Sequence, residues 1–444
     1  MSGGEPVPPE TDRAIGLEFY ASSGPGFGAL VKGEPEDFQV REVSLYPMPD
    51  PKGPYTVLNV VSRGREQHEL AEELASRLGL PLHSVSWAGT KDRRAIAERL
   101  FSYRGLPPTT LPTLRNAEVL EAYRARDHLV LGHHYGNAFT IRLRDLRPSV
   151  DVARERFSTV RSELVEAGGF PNFFGPQRFG EVRPVTHLVG RDLVRGDVAG
   201  AIDTYLSAPA PGESTLGQAA RRSYAEHHDP RRALEEFPAP FRFERTLLER
   251  LARGDPPERA FRALHRELRM LFVHAFQALL FNRWLGERRR GGLSLDVPTD
   301  GDTVLRVRRD GTVPGTDPIA VSADNVEECG AWVRRGGARL AGPLIGFETP
   351  AASGVAGELI DRLLADEAVT RESFELPGFP ELASHGSWRP SVAAVPPIGT
   401  HWDATGPEES RSGSVRLTFA LPKGTYATVL LREFLKPGAV HGVR

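Results

Sequence analysis

The chain's 444 residues include 56 basic and 58 acidic side chains, a formal net charge of −2, so no overall basicity announces a nucleic-acid partner. With 40% hydrophobic and 26% charged residues it is composed like a globular protein, and its length suggests two to three domains. A single cysteine, Cys329, excludes a disulfide framework, an iron–sulfur cluster and any multi-thiolate metal site, and reads as a small buried hydrophobe.

The charge is spread unevenly. Residues 1–50 hold nine acids against three bases, whereas residues 242–269 hold eight arginines against five acids. Five lysines leave 56 − 5 = 51 arginines, a bias that points to genome composition or a harsh environment more than to function. Arginine suits bidentate phosphate contact, yet most of these side chains read as solvated helix faces. The N-terminus, MSGGEPVPPETDR, lacks the basic start and apolar run of a signal peptide. The most apolar stretch, Met270 to Phe281, is broken by His274 and Gln277 and is shorter than the ~20 residues of a membrane span. A soluble, cytoplasmic protein with no membrane partner is expected.

In chain order, Asp37 to Val43 and Tyr55 to Val61 are rich in aromatic and β-branched residues and predict strands, with a proline-rich loop between them. A helix is predicted from Glu66 to Leu78, where Leu70, Leu74 and Leu78 recur every four residues and Gly79 supplies the stop. After a short segment, His83 to Trp87, the sequence Ala88-Gly89-Thr90-Lys91-Asp92 leads into a second helical pattern from Arg93 to about Tyr103. Asn137 to Leu146 alternates as a strand, with Phe139, Ile141 and Leu143 on one side. From about Arg183 to Arg290 the pattern is mainly helical, its longest element running from about Glu258 to Arg290. Punctuation covers Asp296 to Pro318, and strand alternation returns only near the end, at Val415, Leu417 and Phe419. Sheet, helix and sheet in that order predict an α+β protein with a helical domain inserted into a mixed one.

Several segments are candidates for chemistry. Thr90 or Asp92 is placed to cap a helix; the same position would hold a carboxylate ionised beside a basic residue, a competent nucleophile. Gly136-Asn137 reads either as a turn pair or as an amide beside the flat ring of Phe139, suited to a heterocyclic base. The stretch Asn172 to Gly180 packs three phenylalanines around Asn172, Gln177 and Arg178, as a hinge between domains or a cleft wall. His133-His134 and His227-His228 lack the spacing of a zinc site, and no glycine-rich nucleotide motif is present.

Taken in order, six motifs resemble the TruD family of RNA pseudouridine synthases. They are Lys32 with Pro35-Glu36-Asp37-Phe38 and Val40; Ala88 to Asp92; Gly136-Asn137 with Phe139; Asn172 to Gly180; Ala275-Phe276-Gln277 with Leu280-Phe281-Asn282-Arg283; and Phe419 to Pro422 with Gly424 and Tyr426-Ala427-Thr428. Phe173 stands where the family usually has tyrosine. The resemblance implies a pseudouridine synthase catalytic domain, a mixed and largely antiparallel sheet with flanking helices, formed by residues 1–182 and 386–444. A mainly helical TRUD-type domain, 183–385, would be inserted, with RNA in the cleft between them. It maps the catalytic aspartate onto Asp92, the ring that stacks on the base onto Phe139, and the orienting amide onto Asn137. Lys32 becomes the cation near Asp92, Phe38 and Phe419 the pocket walls, and Gln177 and Arg178 cleft contacts or hinge residues. The expected activity is isomerisation of uridine to pseudouridine in tRNA, at position 13 of the D arm, by a monomer with no metal and no cofactor. Arginines 221, 222, 231, 232 and 288 to 290 are candidate phosphate contacts. The alternative is a non-catalytic RNA-binding protein or RNA chaperone on the same scaffold; a nucleoside hydrolase, which would release free uracil, is a second rival.

Overall fold

The structure, a computed structural model, describes residues 6–44, 48–89, 95–132, 134–404, 413–438 and 440–441. The chain divides into two compact units, one of residues 22–167 with 394–444 and one of residues 1–21 with 168–393. The sequence pattern drew the inserted segment at 183–385; the compact unit also takes in the first 21 residues and the flanks. Two contacts explain this: Phe170–Pro171 pairs with Val392–Ala393, and the Asn282 side chain donates to the Ile15 carbonyl at 2.8 Å.

The first unit is built on an eight-stranded sheet. From one edge its strands are Gly399–Asp403, Ser414–Pro422, Gly136–Leu143, Phe38–Val43, Ile96–Arg104, Tyr55–Arg63 and Ala117–Ala125, with Ser86–Trp87 also paired to Ile96–Arg104. All pairs are antiparallel except Phe38–Val43 with Ile96–Arg104. The helix Gln67–Leu78 forms as expected: the Glu66 carboxylate accepts from the backbone N–H of His68 and Glu69, and Gly79 ends it at φ 66°. Leu70, Leu74 and Ala75 pack on Leu58, Phe101 and Val119 of the sheet. Near the other edge, Phe157 of the helix Val150–Glu166 stacks on Phe434 of the helix Ala427–Leu435, rings 4.6 Å apart.

One expectation fails here. Residues 96–104 form a strand instead of the predicted helix. Ala, Glu, Arg and Leu favour helices locally, but Ala97, Arg99, Phe101 and Tyr103 alternate inward and are all buried, and strands pair on both sides. The helical pattern predicted from Arg93 to about Tyr103 is thereby corrected to a strand over residues 96–104. Thr90, Lys91 and Asp92 themselves lie outside the described residues.

The second unit is helical as expected between residues 183 and 290. Its longest helix is Arg266–Arg290, buried around most of its circumference; it starts later than the pattern suggested because His265 breaks from Pro257–Arg262 at ψ 143°. The helix Thr186–Val194 crosses it so closely that a side chain at Gly190 would collide with the Phe272 carbonyl. Strand structure is not confined to the chain's ends, however. Pro318–Ala320, Thr303–Arg306, Ala338–Leu344 and Ser387–Pro390 form a four-stranded antiparallel sheet in this unit, of which Thr303–Arg306 falls inside the stretch Asp296 to Pro318 read as punctuation. No helix among the described residues is long and apolar enough to cross a membrane. Cys329 is buried beside Val304 and Ala338, as expected.

Candidate active site

The pleat decides which side chains meet. Phe139 is in register with Val40 on one side and Phe419 on the other, while Ile141 faces Phe38 and Leu417. Phe38, Phe139 and Phe419 thus emerge on the same face of three adjacent strands. Phe38 and Phe139 meet edge to face at 5.9 Å, and Phe139 and Phe419 lie 5.4 Å apart at 31°. Such contacts add about 0.5–1.5 kcal/mol each beyond burial. The Gly136-Asn137 pair belongs to the strand and not to a turn: a side chain at position 136 would strike the Leu421 carbonyl of the neighbouring strand.

Lys32 is brought to the same face by a tight turn. Its φ of 55° is left-handed, which costs a non-glycine residue about 1–2 kcal/mol, and its ammonium sits 4.7 Å from the Phe38 ring centroid. The turn is pinned by Asp37, whose carboxylate accepts from the Glu34 amide at 2.9 Å and from Arg144 Nε at 2.8 Å.

Asn137, two residues before Phe139, shares its face and stands in register between Glu42 and Leu421. Its Oδ1 is buried and accepts no hydrogen bond among the described residues. Leaving such an acceptor unmet costs about 1–3 kcal/mol, which a donor on a bound molecule would recover. Beyond Glu42 lies Arg99, 1% exposed, donating only to neutral groups: Gln67 Oε1 at 2.7 Å and Ser62 Oγ at 3.2 Å. Burial pulls its pKa down to about 10, opposed by Glu42 and Glu66, so it remains a cation at neutral pH. Sequence reasoning passed over Glu42 and Arg99. Their signal was a charged residue at an inward position of an alternating strand.

The other candidates fall elsewhere. Gln177 and Arg178 lie in the second unit, on a single turn Pro176–Arg178, where the Arg178 guanidinium is 5.5 Å from the Phe174 ring. The aromatic loop packs inside that unit: Phe173 and Phe179 are fully buried, and Asn172 Oδ1 accepts from Arg389, itself 4.1 Å from the Phe174 ring. Asn282 Oδ1 accepts from the Phe174 amide, and Gln277 donates to the Ile345 carbonyl at 2.7 Å. These motifs hold the second unit together.

Two arginines expected at phosphates are enclosed. Arg221 is 1% exposed and bonds Glu213 and Glu244 at 2.8 and 2.6 Å; Arg288 is fully buried against Asp302 at 2.5 and 3.0 Å. Their neighbours are carboxylates, which corrects the phosphate reading for both. Arg289 donates to the Tyr20 carbonyl, and Arg290 pairs with Glu18 and Glu287. His228 Nδ1 meets Asp203 at 2.9 Å, and among the described residues no group of three or more histidine, cysteine or acidic side chains is placed to hold a metal.

Comparison with known proteins gives a consistent picture. The sequence profile of tRNA pseudouridine synthase D (TruD) matches residues 14–434. A Halobacterium salinarum protein named "Probable tRNA pseudouridine synthase D" is 38% identical over 440 residues, covering 96% of this chain and 97% of its own. A Thermococcus onnurineus protein of the same name is 35% identical, covering 94% and 97%. The crystal structure of a TruD candidate from Methanosarcina mazei superposes with a TM-score of 0.80 at 30% identity, covering 98% of this chain and 99% of that one.

Proposed function

The chain belongs to the TruD family of tRNA pseudouridine synthases, and from that premise we propose that it isomerises a uridine of tRNA, at position 13 of the D arm, through the carboxylate of Asp92. The unit of residues 22–167 and 394–444 would be the catalytic domain and residues 168–393 the insertion, acting in the cytoplasm as a monomer. The observation that carries the substrate reading is the buried, unmet Oδ1 of Asn137 beside three phenylalanine rings on one face of the sheet. A pyrimidine offers what that face lacks, a flat ring with an N–H on its edge.

Isomerisation breaks the C1′–N1 bond, turns the uracil and joins C5 to C1′, with the C5 proton released. Nothing is oxidised or reduced, so the reaction asks for no redox cofactor. Asp92 enters either by attacking C1′ or by taking a ribose proton; both need it ionised, and Lys32 and Arg99 supply positive charge in the same unit. Taking the base out of the RNA stack costs a few kcal/mol, and stacking on Phe139 returns about 1–3 kcal/mol.

The test is release of tritium from tRNA labelled at uracil C5. Wild type is expected to release it, and Asp92→Asn to slow release at least about 10³-fold, on the scale of losing a catalytic group, while still binding tRNA. A protein that binds tRNA and releases no tritium is a binder only. Release at an unchanged rate from Asp92→Asn removes the aspartate from the mechanism.

A further inference from the structure

The same pleat that gathers the phenylalanines sends the intervening residues to the opposite face. There, Arg142 and Arg416 are direct cross-strand partners, and His401 is the next residue in the row. Like charges directly opposite one another weaken a strand pair unless an anion joins them.

The acids nearby are already committed. Asp37 takes Arg144 at 2.8 Å, Glu36 takes Arg63 at 2.6 Å, and Asp403 takes His401 at 3.0 Å. Arg142 reaches the Ser414 hydroxyl at 3.3 and 3.2 Å and is 4.0 Å from Asp403. Arg416 is exposed, and its side chain makes no hydrogen bond or ion pair among the described residues. Arg142 and Arg416 line a half-open cavity of about 400 Å³ together with Gln39, Thr140, Arg144 and the two carboxylates Glu36 and Asp37, which are paired with Arg63 and Arg144.

We propose that this cavity binds a phosphate group between Arg142 and Arg416, on the face of the sheet opposite the phenylalanines. Two guanidinium forks from neighbouring strands call for an anion with several charged acceptors, and a tetrahedral phosphate can meet both forks at once. The phosphate comes from a second stretch of RNA backbone or from a free phosphate; the RNA source rests on the function proposed above.

The test compares wild type with Arg416→Thr alone and with Arg142→Gln plus Arg416→Thr. Melting is followed in inorganic phosphate and in chloride of equal ionic strength, and tRNA binding is titrated with salt. Phosphate at millimolar concentration is expected to raise the melting temperature over chloride more in wild type than in either variant, which keep only the general stabilisation that an excluded anion gives any fold. In chloride the variants melt at or above wild type, since a like-charge contact is gone. If the RNA backbone is the source, the double variant also binds tRNA about tenfold more weakly, with a salt slope shallower by about 1.5. Lost phosphate stabilisation with unchanged tRNA binding assigns the site to a free phosphate. A phosphate effect in wild type no larger than in the variants, with no change in tRNA binding, overturns the proposal. Tritium release by wild type reports separately on the catalytic reading.

Discussion

Particular arginines of the two units stand in opposite surroundings. In the helical unit Arg221 and Arg288 are buried among carboxylates and carbonyls, and Arg389 is sandwiched between the Asn172 amide and aromatic rings. In the sheet unit Arg416 stands in solvent with no acid assigned to it, and Arg142 rests on a hydroxyl. The arginine run of residues 242–269, read by itself, would put the nucleic-acid surface on the helical unit. Partners point the other way: a cation already neutralised inside a fold has no charge to offer a phosphate.

This contrast can be broken by mutation. Arg288→Ala strands Asp302 in the interior and is expected to destabilise the protein by about 3–5 kcal/mol in urea unfolding, with Arg288→Met plus Asp302→Leu recovering part of the loss. A near-neutral Arg288→Ala would mean that the buried pair is ornamental. A smaller effect is expected from His187, buried against the Phe179 ring, where burial first and Arg283 and Arg191 next push its pKa down to about 4. The unfolded chain takes up this proton below about 6.5 and the folded chain only near 4, so stability falls as pH drops through that window, by at most roughly 3 kcal/mol. Urea unfolding of His187→Leu should show a flatter decline between pH 6.5 and 4 than wild type; an identical slope refutes the assignment. Smallest of all is Arg232→Ala, which removes an exposed pair with Glu236 and should leave unfolding within error of wild type.

Much of this architecture was legible in local pattern. Where capping, spacing and burial agree, as at Glu66 to Gly79 or along Asn137 to Leu143, the elements stand where the sequence placed them. Ile96–Arg104 was hidden because its composition suits a helix and only its neighbours make it a strand. The smaller sheet was hidden because its strands, as short as three residues, are separated by helices Val326–Arg334 and Gly354–Asp366. At the site, Phe38, Phe139 and Phe419 were individually visible through their motifs. That they share a face depends on register between strands hundreds of residues apart, which no local window carries. Glu42 and Arg99 drew no reading from the sequence, because only strand pairing turns them inward.

The position of Ser414–Pro422 inside the sheet has a consequence for biogenesis. This strand lies between Gly136–Leu143 and Gly399–Asp403, yet it leaves the ribosome after every residue of the helical unit has been made. During translation the Gly136–Leu143 ribbon must wait as an open edge, a natural place for a chaperone to bind or for aggregation to start. The nascent polypeptide completes its aromatic chamber only when Phe419 arrives.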